Sequence, residues 1–294
     1  MTSPWVMGHA LDTPFMQTRT AHPPGITPLD PAEWIRVDPD FAAQMAYRSR
    51  LLADVPEVVL EAQDGAGPLI REFYHAMIAH LAGRSDYMIE GDEIIRPDGV
   101  QIPCDPARPL ETICNLIADD ICLLLPDAEA GEYILVAGLL CFPSRWLLSE
   151  KMGRPLTVIH EPVPEYDADL ARRVNRLFEA IRPGRPMVRV NWLIHASAEL
   201  HLPLGLSDKL VAEADPECGL YLRTERQTLV RLPETGGVVF GIKTSICPLD
   251  RLTPDQSAAL MRELEVKHRH PALAEEDDPV LEVARDRLSA QAMR

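Results

Sequence analysis

The chain is poor in aromatic residues, in basic charge and in closely spaced cysteines. Phe, Trp and Tyr make up 5% of its 294 residues, and its formal net charge is −16. Nucleic acids and anionic membranes both select basic surfaces, so neither is expected as a partner. An acidic chain can still dock on a basic protein. The six cysteines are Cys104, Cys114, Cys122, Cys141, Cys218 and Cys247, and no two form a C-x-x-C pair. Zinc ribbons and cysteine-held iron–sulfur clusters are therefore unsupported. Most of these thiols sit in apolar runs, the pattern of a reducing compartment. No apolar run reaches spanning length, and no basic segment followed by an apolar core opens the chain. There is no glycine-rich dinucleotide fingerprint and no internal repeat. The expectation is a cytoplasmic protein that neither crosses nor binds a membrane.

What the chain does have is apolar content (46%) sufficient for a core, and 27 prolines that punctuate it. Residues 1–30 form a proline-rich arm anchored by Trp5, Phe15 and Met16. Asp38-Pro39 reads as a helix start. A second helix starts at Gly67-Pro68 and carries Leu69, Phe73, Met77 and Leu81 at spacing four. Residues 87–95 read as a hairpin around Gly91-Asp92. Pro109 opens a predicted helix with a stripe through Leu110, Ile113, Leu116, Ile117, Ile121 and Leu124. On that helix Asp119 and Asp120 would face solvent. Residues 133–142 are apolar on both faces, as in a covered strand. Asp167 caps a further amphipathic helix. Three strands follow at 187–195, 219–232 and 237–247, then a helix from Thr253-Pro254, an acidic run at 275–278 and a short peripheral helix.

This order predicts an α+β fold: a PAS-like antiparallel sheet of about five strands, with helices inserted between the second and third core strands. Helical additions flank it at both ends. The expected divisions are 1–84 for the arm and first helices, 85–250 for the core and 251–294 for the C-terminal extension, together one structural unit. Haem-binding PAS domains take their axial histidine from the helices between those two strands. His160 falls in that interval, between an apolar run (Leu156, Val158, Ile159) and two prolines (Pro162, Pro164). On the local residues alone, a buried histidine hydrogen-bonded to a carbonyl is favoured over a metal ligand.

Three segments together are similar to one family. They are CFPSRWLLSEKMGRPLTVIHEPVP at 141–164, PGRPMVRVNW at 183–192 and LRTERQTLVRLPETGGVVFGIKT at 222–244, with PLDPAEW at 28–34 in support. They resemble the haem-dependent oxidative N-demethylases, dimethylamine monooxygenase α-subunit-like proteins, over roughly residues 25 to 265. Arg145, Leu193 and Thr224 depart from the family's pattern, as does the tail beyond about 265.

The resemblance implies a PAS-like fold holding haem b, and a monooxygenase that oxidises a small secondary amine with O2 and releases an aldehyde. Electrons would come from NADPH through a separate flavin and iron–sulfur reductase. A homo-oligomer is left open. His160 is then the iron ligand, with His195 and His201 as rivals. Trp146 would wall the haem, and Trp192, on the opposite face of its strand from Asn191, is either a core aromatic or another wall of the haem slot. Lys151, Arg154 and Arg145 would meet its propionates, or else they are surface cations at a helix end. Period two puts Leu220, Leu222, Thr224, Arg226, Thr228 and Val230 on one face of their strand. Arg226, a charge on that apolar face, would meet bound oxygen or a propionate, and Asn191 would supply a further donor beside the oxygen; the alternative for Arg226 is an ion pair with Glu111 or Asp119. Arg223 and Glu225 fall on the other face as structural or surface groups. Two other readings compete: a haem-PAS gas or redox sensor, and a haem-free interaction module.

Overall fold

The structure, a computed structural model, describes residues 3–17, 20, 25–161, 168–203, 219–269 and 279–293. Pro162, Pro164, Asp167, Cys218 and the acidic run 275–278 lie outside them. Strand β1 (Thr27–Pro28) is followed by helix α1 (Phe41–Asp54), α2 (Pro56–Val59), β2 (Leu60–Ala62) and α3 (Gly67–Ala82). Strands β3 (Met88–Glu90), β4 (Glu93–Ile95) and β5 (Gln101–Pro103) make a small sheet of their own. Helix α4 (Pro109–Cys114) leads into β6 (Asp120–Asp127) and β7 (Glu132–Leu139). Helices α5 (Leu148–Lys151), α6 (Leu156–Ile159) and α7 (Ala168–Ala180) come next. Strands β8 (Met187–His195), β9 (Tyr221–Arg231) and β10 (Val238–Pro248) precede α8 (Pro254–Arg269) and α9 (Pro279–Ala292). Among the described residues no helix is long and apolar enough to cross a membrane.

The architecture is α+β. A seven-stranded antiparallel sheet runs in the order β1-β8-β9-β10-β6-β7-β2. Its five long strands are flanked by two short edge pieces. The inserted helices α5 to α7 join β7 to β8, the second and third of the long strands. The hairpin around Gly91 forms as expected, with Gly91 in the left-handed region at φ 62°. It belongs to the small sheet, however, and is not part of the main one.

Two readings are corrected here. The helix from Pro109 stops at Cys114, and residues 120–127 are a central strand. Asn115 ends the helix, with its side-chain amide donating back to the Glu111 carbonyl. The run 121–125 is apolar without interruption, and such a run fits a strand buried on both sides as well as a helix stripe. Asp119 and Asp120, expected on a solvated face, are consequently buried at 0% and 1% exposure. The second correction concerns Asp38, which does not cap α1. Its carboxylate pairs with Arg36 at 2.9 Å and with Lys243 at 3.4 Å.

Strand register assigns each side chain to a face of the sheet. Trp192 lies opposite Thr224, and Arg226 opposite both Val190 and Lys243. This face packs under α1 and α3, through Met45, Phe73 and Met77, and towards one end under α8 and α9, through Leu260 and Leu288. The other face carries Cys122, Leu124, Leu229 and Val238 against Leu148, Leu156 and Phe178 of the inserted helices. Gly138 makes that contact possible, since a Cβ there would stand 2.8 Å from Leu148 Cδ1.

Asp119 is an anomaly in this core. Both of its oxygens lack hydrogen-bond partners among the described residues. Burial pushes its carboxyl up to about 6, against the opposing pull of Lys243 and Arg226. The folded state therefore holds this proton more tightly than the unfolded chain, and stability falls as pH rises from about 4 to 6. Asp119→Asn should be more stable than wild type at pH 7 by on the order of 3 kcal/mol. Urea denaturation should show the two proteins converging near pH 4. A less stable variant at pH 7 would mean that Asp119 is ionised and well partnered.

Candidate functional site

The segment after β7 is pinned from its first residues. The Cys141 and Phe142 N–H groups donate to the two carboxylate oxygens of Asp120, each at 2.8 Å. Arg48, fully buried, donates to the same carboxylate at 2.5 Å. The Phe142 carbonyl accepts from Arg223 Nη2 at 2.6 Å. Arg145 then takes φ 63°, a left-handed conformation unusual for a residue with a Cβ.

Farther on, the chain is strapped to the edge of β7. Gly153 donates to the Leu135 carbonyl, and Leu135 donates to the carbonyl of Arg154. Glu132 accepts from the Thr157 N–H and hydroxyl. These bonds seat α6, and His160 is its C-terminal cap. The ring is half-buried, and its Nδ1 lies 2.8 Å from the Leu156 carbonyl. A carbonyl only accepts, so Nδ1 carries the hydrogen and Nε2 carries the lone pair. Burial is the largest cause holding the imidazole below its ordinary value. The Leu156 carbonyl works the other way, while Lys151 and Arg189 lower it further. The ring is neutral at pH 7, the form that ligates a metal.

The sheet presents a polar row on the same side as the inserted helices. Arg189, Asn191 and His195 of β8 stand opposite Gln227, Glu225 and Tyr221 of β9. Glu225 accepts from Arg223 Nε at 3.3 Å, Gln227 Nε2 at 3.2 Å and Asn191 Nδ2 at 3.5 Å. His195 is buried with Nε2 3.4 Å from Ser144 Oγ. His201 is buried with Nδ1 2.7 Å from the Cys141 carbonyl.

The expected site residues separate into two groups. Asn191 lies on the face that meets the inserted helices. Trp146 and Lys151 stack, with Nζ 5.3 Å from the ring centre and donating to the Ile159 carbonyl at 2.8 Å. Arg154 is exposed, as is Arg145. Arg226 and Trp192, by contrast, are on the opposite face, where each meets one of the alternatives open to it, the charge of Asp119 and an apolar core. Arg226 donates to the Glu33 and Trp34 carbonyls at 2.6 and 3.3 Å and sits in the field of Asp119. Trp192 meets Phe15 edge-on at 6.1 Å. The alternation expected along β9 is correct, but the apolar partners of Arg226 face the N-terminal helices. Arg223 and Glu225, expected as structural or surface groups, belong to the polar row. The signal for them was their polarity itself: a row of polar side chains on a covered strand needs something polar across from it.

The sequence matches the family described as haem-dependent oxidative N-demethylase, alpha subunit-like, over residues 25–270. The chain belongs to that family. The family's name specifies a haem-dependent oxidation. Three features of this N-demethylase-like chain fit it. His160 presents a neutral imidazole with the lone pair on Nε2, Leu156 and Ile159 supply an apolar flank, and Arg189 Nε is buried with no hydrogen-bond partner among the described residues. No cluster of three or more His, Cys, Asp or Glu occurs among the described residues. A porphyrin-held iron needs only one such ligand.

Acid should loosen this site. Burial, with Arg223 and Arg145 nearby, lowers His195 to about 3, whereas the unfolded ring titrates near 6.5. The unfolded state binds the proton first, so stability is full above about pH 6.5 and falls as pH drops towards 3. The loss should reach on the order of 3 kcal/mol by pH 4. In thermal denaturation between pH 7 and 4, His195→Gln should show a shallower fall than wild type. Equal slopes would contradict the assignment.

Proposed function

We propose that this chain is the haem-binding subunit of an oxidative N-demethylase. It would oxidise a small secondary amine with O2, release an aldehyde and draw electrons from NADPH through a separate flavin and iron–sulfur reductase. The carrying observation is the His160 imidazole, neutral, oriented by the Leu156 carbonyl and within electrostatic reach of Arg189 in the polar row. The order of the long strands, β7-β6-β10-β9-β8, with helices between the second and third, supports a PAS-like core. A cytoplasmic setting suits the free, buried thiols.

Haem, when bound, supplies oxygen activation and one-electron chemistry. The protein's own residues do the rest. His160 Nε2 is the iron ligand, and the Leu156 carbonyl fixes the ring and raises its basicity through Nδ1–H. Asn191 and Gln227 are fixed amide donors. Glu225 is the carboxylate of the row, and secondary amines are cations at pH 7, so it is the group to take the substrate's N–H. Arg223 holds Glu225 in place by donating to it and to the Phe142 and Leu200 carbonyls. Arg226 and Trp192 have no part in this reading.

Purified protein should show a Soret band that His160→Ala abolishes. With a flavin and iron–sulfur reductase it should consume NADPH and release formaldehyde from dimethylamine. Glu225→Gln should keep the band and raise the KM for amine by about 10- to 100-fold, the worth of a hydrogen bond to a charge. A Soret band unchanged in His160→Ala would remove the ligand assignment. Haem binding without amine-dependent aldehyde would leave a haem-binding protein that does not turn over.

A further inference from the structure

We infer that Arg189 is the residue that binds a carboxylate group of the ligand held between His160 and the sheet. This rests on the functional reading above and adds a residue to it. Register puts Arg189 opposite Gln227 and two positions from Asn191, on the face that meets the inserted helices. Its Nε is buried and has no hydrogen-bond partner among the described residues. None of the ion pairs among those residues includes it.

The charge balance of the row explains why. Arg189 and Arg223 are two guanidiniums, and Glu225 is the carboxylate they share. Glu225 already accepts from Arg223, Gln227 and Asn191. Burial holds the Arg189 guanidinium below its ordinary value, and among the described residues Glu225 pulls the other way. The same guanidinium helps to keep His160 unprotonated, so the two groups share one electrostatic field.

The other cations near His160 are committed or turned away. Lys151 Nζ bonds the Ile159 carbonyl and lies over Trp146, and Arg154 is exposed. A guanidinium whose buried Nε has no partner, in a row that holds one carboxylate to two guanidiniums among the described residues, matches a planar carboxylate, which it can take bidentately.

That carboxylate has two sources, a haem propionate or the acid group of an amino-acid-like secondary amine. Titrating haem-free protein with haem b and with its dimethyl ester, followed by the Soret band, distinguishes them. If the source is a propionate, wild type should prefer haem b by about ten-fold or more, and Arg189→Met and Arg189→Lys should both lose that preference. Lysine keeps the charge without the fork, and it guards against a methionine variant that fails to fold. If the source is the substrate, both variants should bind haem b as wild type does. They should then lose the Soret response to N-methylglycine while keeping that to dimethylamine. Equal binding of both porphyrins, with N-methylglycine responses unchanged in the variants, overturns the role of Arg189 and leaves the functional reading standing. A wild type that binds neither porphyrin overturns both.

Discussion

The buried carboxylate of Asp120 ties the sheet, the N-terminal helices and the site segment together. It opens β6, accepts from Arg48 of α1, and accepts the N–H groups of Cys141 and Phe142 as the chain leaves β7. The Phe142 carbonyl then anchors Arg223, which orients Glu225. An ion pair inside a protein recovers its desolvation cost only when the remaining lone pairs are also used. Asp120 meets that condition with two backbone donors and a guanidinium. The segment that ends at His160 therefore starts from a fixed point.

The two faces of the sheet handle charge differently. Under α1 the charges are mutually compensated: Lys243, fully buried, is held among Asp38, Asp40 and Gln44. Asp119 has no such partner at either oxygen among the described residues, and burial raises it, as it also raises Asp40. Beneath the inserted helices, the polar row gathers around one carboxylate with two guanidiniums nearby. The first arrangement is closed on itself and serves architecture. The second, among the described residues, has one carboxylate to two guanidiniums, and the ligand role proposed for Arg189 rests on that balance.

Much of this fold was legible in the sequence. The alternation through Val188, Val190 and Trp192, and the turn at 233–236 between two long runs, gave strands that the structure contains. Strand β6 was not legible, because Ile121 to Leu125 has no alternation and adjoins a true helix start at Pro109. Nor could the sequence say which face of β9 meets His160. Parity groups Thr224, Arg226 and Thr228 together, but the choice between two covers depends on long-range packing. A lone arginine among apolar neighbours drew attention to Arg226, when it was held by two backbone carbonyls of the N-terminal segment. The two sequence readings of His160, a ring bonded to a carbonyl or a metal ligand, turn out to be compatible. The Leu156 carbonyl that satisfies Nδ1 is what leaves Nε2 as the electron-pair donor.

The most direct test is a crystal structure of the haem-loaded protein. The account predicts iron bonded to His160 Nε2, Nδ1 still on the Leu156 carbonyl, and the porphyrin's far side turned to Asn191 and Glu225. Iron on His195, His201 or any other residue, or a porphyrin on the Arg226 side of the sheet, would contradict it.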